Sequence, residues 1–138
     1  MTFDASAVEA DLRRWYDRYL STFIGLARGE RDDVDTLIDF FSFPLTRLTA
    51  EEISYQPSRA DQHAAMSADV RRMREIDYDT SVVDGLSFRV LGPAAATIEG
   101  LFTRVARDGS VISSFGTLYL LGKADGDWRI TALVAIAR

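Results

Sequence analysis

Apolar residues follow two different periods along this chain of 138 residues. From Ser6 to about Asp77 they recur every three or four positions, as on one face of an α-helix. From about Tyr78 to Arg138 they alternate with polar residues, as in β-strands. No Pro/Ser-rich linker and no internal repeat separates the two halves. We therefore predict a single α+β domain over residues 1–138, with three N-terminal helices packed in a strongly curved antiparallel sheet.

The first predicted helix is long and aromatic. It begins at Ser6, because Ser6 and Glu9 form an S-x-x-E sequence typical of a capping box. Gly29 is a natural end, since glycine readily adopts the left-handed conformation that terminates many helices. Its predicted apolar stripe consists of Val8, Leu12, Trp15, Tyr19, Phe23 and Leu26.

Two shorter helices are predicted before the strands. Asp32 or Asp33 caps the second helix, and Pro44 ends it. Its apolar face is formed by Val34, Leu37, Ile38 and Phe41. After a small hairpin over residues 45–56, Ser58 caps the third helix. The inward stripe of that helix is predicted to contain His63, Met66, Val70 and Met73.

The C-terminal half is predicted to be a meander of four long strands. Asp108-Gly109 and Asp125-Gly126 are typical of two-residue hairpin turns, because both central positions need a positive φ. Gly92-Pro93 marks an earlier turn. The implied strands cover residues 80–91, 95–106, 111–123 and 127–137. Across the first hairpin the turn predicts the pairs Gly100–Thr117, Phe102–Phe115 and Arg104–Ser113. Across the second it predicts Thr117–Val134, Tyr119–Ala132 and Leu121–Ile130.

This pairing predicts a sheet that is apolar on both faces. The helix-facing side would carry Ile98, Phe102, Arg104, Phe115, Thr117, Tyr119, Trp128, Ile130 and Val134. The outer side would carry a smoother aliphatic surface that includes Leu101, Leu118, Leu120 and Leu133. An isolated antiparallel sheet usually has one solvated face, so we expect a second copy to cover the outer one in a homodimer.

Composition and charge exclude several classes of protein. The chain is 47% hydrophobic and 27% charged, which is typical of globular domains and unlike disordered or collagen-like chains. It has no cysteine, which excludes disulfides, thiolate metal sites and cysteine nucleophiles. A net charge of -5 argues against a nucleic-acid binder. No signal-peptide pattern and no apolar run near the roughly 20 residues of a membrane helix is present, so we expect a cytoplasmic protein without membrane association.

The segment Asp125-Gly126-Asp127-Trp128-Arg129-Ile130 ends a curved meander that follows a long aromatic helix. Together with Gly92-Pro93-Ala94-Ala95-Ala96, it resembles the nuclear transport factor 2-like superfamily with its cystatin-like fold. Ketosteroid isomerase, scytalone dehydratase and the SnoaL-like polyketide cyclases belong to that superfamily. The resemblance covers nearly the whole chain. It implies a cone-shaped α+β barrel with a pocket at its open end and, in many members, a dimer through the outer sheet face.

The chemistry of these relatives transfers poorly to this sequence. Ketosteroid isomerase implies a carboxylate base on the strand after helix two, but here that strand reads Pro44-Leu45-Thr46-Arg47-Leu48. A later strand supplies Thr117 and Tyr119 instead of a carboxylic acid, and only the helix-one tyrosine is kept, as Tyr16 or Tyr19. Scytalone dehydratase implies two histidines, and this chain has one. Proton abstraction next to a carbonyl is therefore not predicted.

Two polar side chains each allow two interpretations. His63 would titrate near neutrality and is either an acid, base or ligand-binding group or a histidine at the inner edge of a helix. Arg104 lies among apolar neighbours, where a guanidinium needs a partner. It either binds a carboxylate or phosphate at the pocket mouth or reaches solvent at the rim. Asp39 and Glu52 are its candidate ion-pair partners.

We predict a small-molecule pocket for an apolar ligand, with binding alone or lyase, isomerase or cyclase chemistry. The candidate ligand-binding residues are Trp15, Tyr19, Tyr55, His63, Phe102, Arg104, Thr117 and Tyr119. The candidate catalytic residues among them are His63, Tyr19 and Tyr119. The alternative is a non-catalytic association module whose cone is filled by Phe23, Phe41, Phe102 and Phe115.

Metal ions, cofactors and nucleic acid are not expected as ligands. Asp61-x-His63 supplies too few ligands for a metal ion. No nucleotide-binding glycine motif is present. The run Arg71-Arg72-Met73-Arg74 is flanked by acidic residues, as on a solvated helix face.

Overall fold

The computed structural model describes residues 2–137 of the chain. Helix α1 (Ala5–Arg28) begins one residue earlier than predicted, because Asp4 is its N-cap. The Asp4 carboxylate accepts hydrogen bonds from the backbone N–H groups of Ser6 and Ala7 at 3.0 and 3.3 Å. The capping box predicted at Ser6 and Glu9 is therefore wrong. Gly29 ends the helix at φ 83°, as predicted.

Helix α2 (Asp35–Ile38) is a single turn that buries Leu37 and Ile38 completely. The Asp33 carboxylate accepts a hydrogen bond from the N–H of Asp35 at 3.0 Å, as a cap would. The helix does not continue to Pro44, which lies inside strand β1 (Phe41–Leu48). The cause is strand pairing, since the N–H of Ile130 already donates to the carbonyl of Phe40 at 2.8 Å.

Helix α3 (Arg59–Glu75) has the predicted N-cap. Ser58 and Asp61 form a reciprocal capping box there. The inward face of α3 differs by one residue from the prediction. Gln62, Val70 and Met73 are buried and Met66 is partly buried, whereas the side chain of His63 is 44% exposed.

Within residues 2–137 the strands form one six-stranded curved sheet. After β1, the chain forms β2 (Ile53–Gln56), β3 (Tyr78–Gly92), β4 (Ala95–Ala106), β5 (Val111–Ala124) and β6 (Asp127–Ile136). The spatial order is β2-β1-β6-β5-β4-β3. Neighbours are antiparallel except β1 and β6, which are parallel, so the sheet is mixed rather than wholly antiparallel.

The hairpin between β4 and β5 has the predicted register along most of its length, although its loop is longer than predicted. Its loop has three residues, since the N–H of Ala106 donates to the carbonyl of Ser110 and Gly109 alone has a positive φ. A bulge at Ile112 then cancels the extra loop residue. The pairs Gly100–Thr117, Phe102–Phe115 and Arg104–Ser113 are therefore confirmed.

The hairpin between β5 and β6 departs from the prediction in its second half. Asp125 and Gly126 both have positive φ, and Leu121 pairs with Ile130 as predicted. A register shift at Thr131 then moves every later partner by one residue. The observed pairs are Thr117–Ala135, Leu118–Val134 and Tyr119–Leu133.

This shift exchanges the faces of two residues on β6. Leu133 packs against the core, and Val134 lies opposite Leu118 on the outer face. Leu133 therefore does not belong to the predicted outer surface, and Val134 takes its place there. The physical reason is the side-chain period of two in a strand, so that one extra residue reverses all later side chains.

Helix α1 packs against the concave face of the sheet, and aromatic side chains form the core between them. The Tyr16 ring lies 6.0 Å from the rings of both Tyr19 and Tyr119, and 6.5 Å from that of Phe102, between centroids. Tilted and edge-to-face arrangements of this kind stabilise aromatic clusters. Together with the neighbouring strands β4 and β5, this core forms the walls of a cavity on the concave side of the sheet.

Candidate functional site

A cavity opens on the concave side of the sheet, between α1, α3 and the middle of β4 and β5. Its inner part has a volume of about 170 Å³ and is lined by aromatic rings and hydroxyl groups. An outer funnel of about 550 Å³ leads to it. The two parts share five residues at the neck: Arg47, Met66, Asp69, Arg104 and Phe115.

Arg104 and Asp69 form an ion pair at this neck. Two guanidinium nitrogens of Arg104 donate to the two carboxylate oxygens of Asp69, each at 3.1 Å. The two side chains are only 15% and 18% exposed. The guanidinium carbon of Arg104 also lies 4.8 Å from the centre of the Phe23 ring and 5.2 Å from that of Phe115. The guanidinium is thus engaged by Asp69 and by two aromatic rings, and both Asp69 oxygens already accept hydrogen bonds.

Three tyrosines, Tyr16, Tyr19 and Tyr119, line the inner cavity. Burial raises the pKa of each phenol, well above its ordinary value in the case of Tyr19 and Tyr119. All three hydroxyls therefore stay protonated at neutral pH and can donate hydrogen bonds. The hydroxyl of Tyr16 is fully buried, and the side chain of Tyr119 beside it partly offsets the rise in the pKa of Tyr16.

Arg47 is the second arginine of the neck and lines both parts of the cavity. On β1 it pairs with Leu133, so it projects from the inner face of the sheet. Within residues 2–137 its side chain makes neither a hydrogen bond nor a salt bridge, although it is half-buried. Arg47 therefore offers a free guanidinium to a molecule that enters the cavity.

Five of the eight predicted ligand-binding residues line the inner cavity: Tyr19, Phe102, Arg104, Thr117 and Tyr119. They come from α1, β4 and β5. Their convergence follows from the confirmed β4–β5 register together with the predicted apolar stripe of α1.

His63 lies elsewhere, on the side of α3 that faces α2. Its Nδ1 is 3.4 Å from the hydroxyl of Ser67, and its Nε2 is 3.9 Å from a carboxylate oxygen of Asp35. The inward stripe of α3 runs through Gln62, Met66 and Asp69 instead. The role predicted for His63 in the cavity therefore has no geometric support.

Tyr55 and Trp15 also lie away from the cavity lining. Tyr55 lies on the edge strand β2, where it pairs with Thr46 of β1. This register turns its side chain away from the core, and Tyr55 is 62% exposed. Trp15 is 4% exposed, stacks on Tyr19 at 5.7 Å and donates from Nε1 to the carbonyl of Trp128 at 2.9 Å. Trp15 is a core residue behind the cavity wall.

Sequence reasoning missed Asp69 and Arg47. Asp69 is one of the acidic residues that flank Arg71-Arg72-Met73-Arg74, a run that the pattern places on a solvated face of α3. The partners predicted for Arg104, Asp39 and Glu52, do not contact it, and Asp69 pairs with it instead. Spacing could have identified Asp69, because it lies three residues after Met66 and four before Met73. Arg47 could have been found from strand alternation, since it shares a face with the fully buried Leu45.

No metal-binding group of three or more histidine, cysteine or acidic residues occurs in the part of the chain that the structure describes. None of the helices in residues 2–137 is both long and apolar enough to cross a membrane.

The curved mixed sheet around an aromatic helix, with a cavity on its concave side, defines the cystatin-like class of α+β folds. The chain belongs to the family described as NTF2-like protein (DUF6841), whose model matches residues 9–137. A comparison with curated protein sequences found no match.

Solved structures show the same fold at low sequence identity. An NTF2-like protein of unknown function from Pseudomonas putida KT2440 is 13% identical, with a TM-score of 0.72, over 97% of this chain and 89% of that one. A protein of unknown function with a cystatin-like fold from Nostoc punctiforme is 14% identical, with a TM-score of 0.69, over 98% and 93%. A putative calcium/calmodulin dependent protein kinase II association domain from Xanthomonas campestris is 16% identical, with a TM-score of 0.60, over 99% and 89%. At these identities, the similarity establishes the fold alone.

Proposed function

We propose that the protein binds a small, largely apolar molecule inside the cone, in contact with Tyr19, Phe102, Arg104, Thr117 and Tyr119. The observation that carries this proposal is the inner cavity, which joins aromatic walls to hydroxyl and guanidinium groups. Small-molecule sites usually combine a mostly apolar lining with a few polar groups that orient the ligand.

The size of the cavity limits the ligand. An inner volume of about 170 Å³ lies below the ~300–1,000 Å³ of drug-sized pockets. It is close to the ~150 Å³ of an engineered protein cavity that binds benzene. The inner cavity therefore suits a single ring or a short chain, and a larger molecule would extend into the outer funnel.

The arrangement favours binding over proton abstraction. Asp69 is the carboxylate in the cavity lining, and both its oxygens accept hydrogen bonds from Arg104. Both oxygens through which this carboxylate could take a proton from a ligand are therefore already engaged by Arg104. The protonated tyrosines act instead as donors to a ligand oxygen.

Binding can be tested by NMR with benzyl alcohol, a neutral one-ring probe. Titration is expected to shift the backbone amide signals of Phe102, Thr117 and Tyr119. Thr117→Phe should abolish these shifts, because the new ring fills the cavity. Thr103→Phe is the matched control, since Thr103 lies on the outer face of β4, and it should leave the shifts unchanged. Shifts spread over the whole surface, or equal in both variants, would contradict the proposal.

The association-module alternative rests on a different observation. Phe23, Phe102 and Phe115 pack in or against the aromatic core around the cavity, and Phe41 is fully buried. The outer face of the sheet is also apolar, with Leu101, Leu118, Leu120 and, by the observed register, Val134. This face supports a homodimer as a proposal independent of the cavity.

Association can be measured directly by sedimentation equilibrium. The wild-type chain is expected at twice the monomer mass. Leu118→Asp should give monomers, because a carboxylate would be buried at the contact. A wild-type monomer would overturn the proposed dimer and leave ligand binding untouched.

A further inference from the structure

Positively charged side chains outnumber negatively charged ones around the neck of the cavity. Three arginines, Arg47, Arg72 and Arg104, line the outer funnel, and Asp69 is the acidic residue among its lining residues. Asp69 accepts hydrogen bonds from both Arg104 and Arg72. The neck thus carries a positive excess, although the whole chain has a net charge of -5. A positive, partly enclosed cleft of this kind attracts anions.

Arg47 is the arginine through which this charge can act on a ligand. The guanidinium of Arg104 is occupied by Asp69 and by the rings of Phe23 and Phe115. Arg47 has no such partner in the described residues and borders both the funnel and the inner cavity. A planar guanidinium binds a carboxylate through two parallel hydrogen bonds.

Behind the neck, the walls of the inner cavity are aromatic. Phe102 and Tyr119 meet edge to face at 6.2 Å between centroids, as do Tyr19 and Tyr119 at 5.8 Å. Such walls present ring faces and edges to a flat ligand. Beyond Asp69 at the neck, the lining of the inner cavity contains no carboxylate.

We propose that the ligand is a monocyclic aromatic carboxylic acid, bound as its anion with the carboxylate on Arg47 at the neck and the ring in the inner cavity. This assignment rests on the proposed function, since it names the ligand class of the same cavity.

Isothermal titration calorimetry of the full chain with benzoate and benzamide tests the class. The two probes have similar shape and differ in charge. Benzoate is expected to bind at least about tenfold more tightly, because it gains charge-assisted hydrogen bonds to Arg47. Binding of benzoate should weaken as the salt concentration rises.

Substitutions at Arg47 test whether this residue causes the preference for benzoate over benzamide. Arg47→Met should weaken benzoate binding about tenfold or more and leave benzamide binding unchanged. Arg47→Lys keeps the positive charge and should retain part of the preference. Arg89→Met is the matched control, because Arg89 is an exposed arginine opposite Thr97 on β4, and it should change neither probe. Circular dichroism and the melting temperature establish that each variant is folded.

The outcomes separate the ligand class from the function. Equal binding of benzoate and benzamide, with no effect of Arg47→Met, would overturn the anionic class while cavity binding stands. Tighter binding of hexanoate than of benzoate would overturn the aromatic part of the assignment. Absence of binding by all three probes and by benzyl alcohol would instead overturn the proposed function and this inference with it.

Discussion

Arg104 shows how one buried charge organises the neck of the cavity. Alone among apolar residues, its guanidinium would destabilise the fold, but Asp69 and two aromatic rings compensate for its lost hydration. The sequence identified Arg104 as a residue that needs a partner. It did not identify the partner, because ion pairs between a helix and a strand depend on how the two elements pack.

Removal of the Asp69 carboxylate should destabilise the fold. Asp69→Asn leaves the Arg104 charge without compensation, and we expect the free energy of unfolding to fall by about 3 kcal/mol. Asp79→Asn breaks an ion pair with Arg28 whose side chains are 42% and 37% exposed, and should cost less than about 1 kcal/mol. Urea denaturation measures both. Equal losses would show that the Arg104–Asp69 pair behaves as a surface contact.

The tyrosines of the cavity predict a loss of stability in alkali. Burial raises the pKa of Tyr19 and Tyr119 above the value of about 10 that applies in the unfolded chain. As the pH rises, the unfolded state therefore loses these protons before the folded state does. The free energy of unfolding should keep its full value below pH ~10 and decrease above it. Each such tyrosine contributes up to about 1.4 kcal/mol per pH unit.

Tyr119→Phe isolates the contribution of one phenol. This variant should lose stability less steeply above pH ~10 than the wild-type chain does, in urea titrations at a series of pH values. The same slope in both proteins would mean that Tyr119 ionises as readily in the folded state as in the unfolded one.

Among the elements, β6 is the one whose register could be predicted from the sequence only in part. Its turn at Asp125-Gly126 and its first pairs with β5 follow from the residues themselves, but the bulge at Thr131 does not. A bulge adds one residue where a sheet bends, so its position depends on the curvature of all six strands. In β5 the bulge at Ile112 cancelled an error in the loop length, and the predicted pairs were confirmed for that reason.

The bulge in β6 can be tested through the two residues that it exchanges. Leu133→Ala should lower the free energy of unfolding by about 2 kcal/mol, because Leu133 packs against the core. Val134→Ala should cost less than about 1 kcal/mol. Both belong in a Leu120→Asp background, so that association does not contribute, because Leu120 lies on the outer face but pairs with Ala132 rather than with either tested residue. A larger loss at Val134 would indicate the uniform register that the turn alone predicts.

At the scale of the whole molecule, the fold follows from the sequence more fully than the site does. The two periods of the apolar pattern predict the helices and strands, and the final Asp125–Ile130 segment identifies the fold class. The site draws single residues from α1, α3, β1, β4 and β5. Local spacing places Asp69 on the inward face of α3 and Arg47 on the inward face of β1. That these two faces meet at one cavity depends on packing between elements that are distant in sequence, which no local pattern specifies.

The central claim is that the cone holds an open cavity able to receive a small molecule. The most direct test is a high-resolution crystal structure of the purified chain with no ligand added. We predict an open inner cavity, with density for a bound molecule or ordered water beside Tyr16 and Arg47. Rings of Phe102, Phe115 and Tyr119 packed together with no space between them would contradict the claim, and the outer face of the sheet would then be the functional surface.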